Sequence, residues 1–186
     1  MKFFSPEALD FRDQAKQLMV TRNLVIAGLF TALYVVLSYF NIRISALIEI
    51  RFPFLVLAAA GMYGGPVMAV VVAVASDILS TILTGGAFFP GFTLSYSLMA
   101  FLFGLIFFRG RLSAPRAVAA ALTEAVISLT LHTLWLSLMY GTPYAALFVT
   151  RAPKCGIMFV VNTAVLTVVL GAFRQVMHTL HLSLVN

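Results

Sequence analysis

Several ionisable side chains in this sequence sit inside runs that are otherwise apolar, and their neighbours indicate what chemistry they suit. Asp77 stands in a polar stripe with Ser76, Ser80, Thr81 and Thr84 on an aliphatic segment. The stripe suits either an internal hydrogen-bond network or the floor of a ligand site. Further on, Glu124, Ser128, His132, Trp135 and Met139 recur every three or four residues, which places them on one face of a helix. Acids in such a setting are costly enough to be paired or functional. His132 one turn below Trp135 offers a stacking surface for a planar ligand, while Trp135 alone also suits a membrane-interface anchor. The segment Gly85-Gly86-Ala87-Phe88-Phe89-Pro90-Gly91-Phe92-Thr93-Leu94-Ser95 combines glycines that let backbone approach a ligand with flat phenylalanine faces, the makings of a gate or platform. The cations Arg43, Arg51, Arg151 and Lys154 serve either as headgroup anchors or as a cationic rim for an anionic solute. The aromatic cluster near them favours the rim.

The catalytic alternative is a membrane-embedded enzyme built on Asp77, Glu124 and His132, although these lie at different heights and no spacing pairs them. A purely structural subunit is a further alternative. No G-x-x-x-x-G-K-[ST] motif occurs and the only lysines are Lys2, Lys16 and Lys154, so the chain has no P-loop for ATP. Neither H-E-x-x-H nor G-x-S-x-G is present, nor a clustered metal-ligand spacing, and no cofactor or metal is expected in this chain. The single Cys155 excludes an intrachain disulfide.

The elements that must position these residues follow from composition. With 62% hydrophobic and only 10% charged residues in 186, the chain is far from the roughly 25% charged of a soluble domain. Its solvent is lipid. At about 20 helical residues per crossing, the expected fold is an all-α integral membrane bundle of six transmembrane helices with a pocket opening outward. The spans are expected at about 24–40, two within 52–83 divided by Gly61, Gly64, Gly65 and Pro66, then 92–108, 117–139 and 155–173. Ser5-Pro6-Glu7 reads as the start of a short interfacial helix. Loops 1, 3 and 5 are expected at 41–51, 84–91 and 140–153, with the second span starting inside loop 1. One membrane domain covers 1–186, divided into an N-terminal segment (1–22), the bundle (24–173) and a tail (174–186).

Placing the N-terminus in the cytoplasm puts eight lysines and arginines on that side and four outside, which favours both termini inside. The net charge of +6 thus reads as membrane orientation and not as a nucleic-acid surface. The first span also carries Gly28-x-x-x-Ala32, small residues one turn apart that permit close helix approach.

These residues resemble a known family, the substrate-binding S components of energy-coupling-factor vitamin transporters, and within it the folate-specific branch. The resemblance covers about 24–170. It rests on Arg51-Phe52-Pro53 leading to Gly61-Met62-Tyr63-Gly64-Gly65-Pro66, then Ser76-Asp77-Ile78-Leu79, Phe89-Pro90-Gly91-Phe92-Thr93-Leu94-Ser95, Thr133-Leu134-Trp135-Leu136-Ser137 with Tyr140-Gly141, and Thr150-Arg151 with Lys154. It implies a six-helix subunit of the bacterial cytoplasmic membrane that captures folate outside with loops 1, 3 and 5. Such a subunit works with a membrane coupling subunit and two cytosolic ATPases, and the family docks through the small residues of its first helix, here Gly28 and Ala32. The folate-binding residues so implied are Arg51, Asp77, Phe89, Pro90, Gly91, Phe92, Thr93, Ser95, His132, Trp135, Arg151 and Lys154, with rings on Phe89, Phe92 and Trp135 and carboxylates on Arg51, Arg151 and Lys154. The alternative solute is another planar heterocyclic vitamin or precursor, a reading encouraged by His132.

Overall fold

The computed structural model describes residues 6–43, 49–85, 88–109 and 113–179. A 3-10 turn at Pro6–Leu9 precedes helix α1 (Phe11–Leu18), whose cap is Asp10, its Oδ1 accepting from the Asp13 amide at 3.3 Å. The helix proper thus starts later than the predicted Ser5-Pro6-Glu7, of which Ser5 lies outside the described residues. Helix α2 (Thr21–Tyr39) is the first span.

The second span does not begin inside loop 1. There β1 (Asn41–Arg43) and β2 (Glu49–Arg51) pair antiparallel with Asn41 opposite Arg51, and the fine polar and apolar alternation of this stretch is the period of a strand. Helix α3 (Pro53–Thr84) opens on a proline, where a missing N–H costs nothing, and closes on Gly85 in the left-handed region. Its interior breaks at Gly65, where φ is 78° and ψ is −175°, and Pro66 follows. That backbone conformation is open to glycine and strained for residues with a Cβ.

The break is a reversal. Pro53 and Phe54 from the first half line the same cavity as Ser80, Thr81 and Thr84 from the end of the second. Gly65 lies at the opposite end, against Gln14 of α1 and Phe108 beyond α4. Among the described residues five helical runs are long and apolar enough to cross a membrane, and the reversal divides α3 into two segments, which brings the count in line with the six expected.

A reversal within apolar surroundings exposes the first amides of the new helix, which need acceptors. The buried Gln14 side chain supplies one. Its Oε1 accepts from the Val67 amide at 3.3 Å while its Nε2 donates to the Ala8 carbonyl at 3.1 Å, tying α1 to the break. Helix α4 (Pro90–Phe107) then packs against α3 so closely that a Cβ on Gly104 would collide with the backbone of Pro66.

The fifth span is made of α5 (Ala114–Leu129) and α6 (Leu131–Tyr140), kinked at Thr130, whose hydroxyl bonds back to the Val126 carbonyl at 2.6 Å. Such back-bonding bends a helix without ending it. The largest departure from expectation is loop 5. Only Gly141, Thr142 and Pro143 connect α6 to α7 (Tyr144–Thr179), so Arg151 and Lys154 ride on a helix and not on a loop. Pro153 suggests a boundary because it removes an amide and crowds the carbonyl four residues back. Here that carbonyl belongs to Val149 on the exposed side of α7, and Pro153 is itself exposed, so the helix accommodates the proline. Helix α7 itself runs to Thr179, past the end at 173 predicted for the sixth span.

Gly104→Ala is expected to force α3 and α4 apart at a cost of about 1–3 kcal/mol, the range for overpacking a filled core. A lowered melting temperature in detergent would show it, and an unchanged one would contradict the close crossing.

Candidate functional site

A cavity of about 320 Å³ opens among the helix ends opposite the Gly65 reversal, within the size range of small-molecule sites. Helices α2 to α7 each contribute polar groups to it. From α3 come Thr84, Thr81, Ser80 and Asp77, in order away from the helix end; from α7 come Arg151, Lys154, Cys155, Met158 and Asn162. Tyr34 and Ser38 of α2, Tyr96 of α4, Glu124 of α5 and His132 of α6 complete its lining.

The stripe predicted on α3 is thus both a hydrogen-bond network and a cavity wall. Asp77, 7% exposed, accepts from Thr93 Oγ1 at 2.5 Å, which joins α3 to α4. Ser80 and Thr84 return their hydroxyls to the carbonyls of Asp77 and Ser80. On the other side, Asn162 Nδ2 donates to Glu124 Oε2 at 2.9 Å, joining α7 to α5. Arg151 reaches back to the Ser128 carbonyl at 3.5 Å. Asp77, Glu124 and His132 line one cavity despite their different heights, and each acid is engaged by a neutral side chain of another helix.

The aromatic residues form a chain of ring contacts. Trp135 packs on Phe89 at 5.9 Å, Phe89 on Phe92 at 6.0 Å, Phe92 on His132 at 5.6 Å and His132 on Tyr96 at 5.0 Å. Of these, His132 and Tyr96 line the cavity. Trp135 sits above it, its Nε1 donating to the buried Ser95 Oγ at 2.8 Å. Gly91 makes that packing feasible, since a Cβ there would fall 2.5 Å from Trp135 Cδ2 and 2.6 Å from Phe89 Cε1.

The predicted site residues therefore separate into groups. Asp77, His132, Arg151 and Lys154 line the cavity. Phe89, Gly91, Phe92, Thr93, Ser95 and Trp135 form the packed group beside it, and Pro90 opens α4 in its first turn. The backbone of Arg51 ends β2, while its side chain lies outside the described residues, as do Gly86 and Ala87. Sequence reasoning missed Tyr34, Ser38, Tyr96 and Asn162 as wall residues. Asn162 had a usable signal, because an amide inside an apolar span has to find partners as an acid does.

Gly28 and Ala32 lie elsewhere, exposed on α2, and a Cβ on Gly28 would meet nothing within 4 Å. They form a flat strip away from the cavity.

A family model described as "ECF transporter, substrate-specific component" matches residues 22–170. The chain belongs to this family. As an S component, it is 37% identical over 132 residues to the folate transporter FolT of Clostridium novyi (strain NT), covering 70% of this chain and 75% of that one. It is 30% identical over 153 residues to the FolT of Leuconostoc mesenteroides subsp. mesenteroides, covering 78% and 82%. Among solved structures it is similar to the one described as "Crystal structure of FolT bound with folic acid", with a TM-score of 0.71 and 30% identity over 78% of this chain and 90% of that one.

Trp135 is the only tryptophan, so emission reports this site alone. Gly91→Ala is expected to push the indole off Phe89 and shift the emission maximum to the red. An unshifted spectrum would contradict the packing.

Proposed function

We propose that this S component binds folate in the cavity and delivers it across the bacterial cytoplasmic membrane. The observation that carries the reading is the polarity of the cavity along its length. Arg151 and Asn162 lie on one helix at opposite ends of the cavity wall, separated by about 16 Å of helical rise. The α7 backbone thus carries Arg151 and Lys154 toward one end and Asn162 with its partner Glu124 toward the other. The Arg151 guanidinium reaches to the Ser128 carbonyl one turn from Glu124, and Tyr96 and His132 also line the wall.

Folate has the same order of groups. Two carboxylates of its glutamate tail suit Arg151 and Lys154, arginine offering a planar fork for both oxygens. Its aminobenzoate and pterin rings suit the aromatic wall, and the pterin's hydrogen-bonding edge suits the polar floor. Phe89, Phe92 and Trp135, held together through Gly91 and Ser95, act as the gate on the loop 3 side. Arg51 adds a third cation from loop 1. The similarity to FolT proteins, one solved with folic acid, supports this assignment.

In this reading the chain is no enzyme and carries no cofactor. ATP is hydrolysed by two cytosolic ATPases joined through a membrane coupling subunit, which docks on the strip at Gly28 and Ala32. Both termini face the cytoplasm, with residues 1–22 forming the cytoplasmic N-terminal segment and the tail following the bundle. Arg151 and Lys154 then lie toward the outside, where the solute arrives.

Isothermal titration of the purified protein with folic acid or a reduced folate is expected to show tight binding. Silence toward every folate alongside heat from another heterocyclic vitamin would overturn the substrate. Trp135→Ala is expected to weaken folate binding by about 1–3 kcal/mol, the scale of one stacked aromatic contact; unchanged affinity would remove Trp135 from the gate. Gly28→Leu is expected to abolish uptake by the assembled transporter while leaving binding by the isolated subunit intact, and normal uptake would exclude the strip as a docking face.

A further inference from the structure

The end of the bundle opposite the cavity holds a second buried polar cluster. Asn23, in the first turn of α2, is 5% exposed, and Tyr63, two residues before the Gly65 reversal, is 6% exposed. Asn23 Nδ2 donates to the Gln17 carbonyl of α1 at 2.7 Å, and its Oδ1 accepts from the Tyr63 hydroxyl of α3 at 3.5 Å. A carbonyl only accepts hydrogen bonds, so Gln17 sets which way the amide lies and leaves the acceptor end for Tyr63. One side chain thus joins three helices. Gln14 makes a second link, from α1 to the reversal itself.

On α2 the buried residues Asn23, Ala27, Phe30 and Tyr34 recur every three or four positions and form the inner face, with Gly28 and Ala32 exposed on the outer one. Phe30 packs its ring on Tyr63 at 6.3 Å and on Phe173 of α7 at 6.0 Å. Such contacts hold α2 against the bundle but tolerate small turns about its axis, because hydrophobic contact is non-directional, whereas a hydrogen bond weakens steeply as its angle closes. The N-cap residue Val20 supplies no side-chain hydrogen bond to the start of the helix. Asn23 ties that first turn to two neighbours in a fixed orientation. Gly28 follows five residues on, about 7.5 Å of rise, so the rotation set at Asn23 is the rotation at which Gly28 and Ala32 are presented.

We propose that Asn23, held by Gln17 and Tyr63, is a positioning residue for docking: it sets the rotation of α2 at which the strip meets the coupling subunit. Asn23 does not line the cavity, and it lies on the face of α2 turned away from the strip. The inference rests on the docking role given above to Gly28 and Ala32 and adds a residue that touches neither solute nor partner. It also gives α1 a task in transport. A helix too short to cross the membrane supplies the carbonyl against which α2 is aligned.

The test compares the isolated full-length subunit in detergent with the same subunit assembled with its coupling subunit and ATPases in proteoliposomes. Folic acid affinity and melting temperature are read on the first. On the second, the readouts are affinity for the coupling complex and the maximal rate and KM of labelled folic acid uptake. Asn23→Leu is expected to weaken affinity for the coupling complex and lower the maximal rate by about fivefold, the factor to which one hydrogen bond amounts, with folic acid affinity and KM unchanged. A merely structural role would lower the melting temperature and leave affinity for the coupling complex as in wild type. Tyr63→Phe keeps the ring on Phe30 and removes only the hydroxyl, and is expected to act in the same direction by a smaller factor. Wild-type docking in Asn23→Leu would overturn the inference, and so would an equal fall in folic acid affinity. Should Asn23→Leu fail to yield folded protein, Tyr63→Phe decides on the same terms. Gly28→Leu separates the two levels. If it blocks docking while Asn23→Leu does not, the positioning role alone falls; if it leaves docking intact, the docking strip falls and the positioning role with it.

Discussion

Hydrocarbon neither donates nor accepts hydrogen bonds, and a polar group inside the spans of this protein is costly unless the protein itself matches it. Isolated hydroxyls meet that demand locally: Thr31, Ser38, Thr123 and Thr163 each return a hydrogen bond to the carbonyl four residues back. Acids and long cations have no such local solution. Asp77, Glu124, Arg151 and Lys154 converge on one cavity, where Thr93, Asn162 and a backbone carbonyl serve as partners drawn from other helices. The demand that isolates these groups from lipid thereby gathers them into a site.

The same demand shapes α3. Two segments joined through a single glycine need no loop, but the reversal leaves the amide of Val67 to be satisfied. Gln14 answers from a helix that does not cross the membrane, so α1 belongs to the fold although it is short and amphipathic. Gly104 lets α4 meet the reversal at backbone distance. With α3 and α4 in that contact, Asp77 and Thr93 can bond, and one wall of the cavity is fixed at the far end of the same helix pair.

The opposite wall is set by α5, α6 and α7. The bend at Thr130 carries His132 and Trp135 over α4, where they meet Phe92, Tyr96 and Ser95. Ring contacts then run unbroken from Trp135 to Tyr96, so the aromatic group beside the cavity and the residues lining it form one packed unit. Any opening of the group at Phe89 has to reach the cavity through His132. Pro153 leaves α7 helical through Arg151 and Lys154, which gives these cations a fixed height above Asn162.

The sequence by itself determined the lipid setting, the number of crossings and the residues out of place within them. Apolar length and the cost of buried charge are local properties, legible without a partner. The glycines and proline at 61–66 announced a division of the long apolar run for the same reason, since backbone freedom is written in single residue types. What the sequence left open was decided between helices. Whether Pro153 ends a helix depends on what surrounds the carbonyl of Val149, and whether Trp135 anchors in lipid or bonds to Ser95 depends on where α4 lies. Glu124 became part of the cavity wall beside Asn162 only when α7 brought that residue to it, thirty-eight positions along the chain. Spacing along one helix shows which residues share a face. The partner of that face is fixed by packing, and in this protein the packing turns scattered polar residues into a cavity lined by cations and acids.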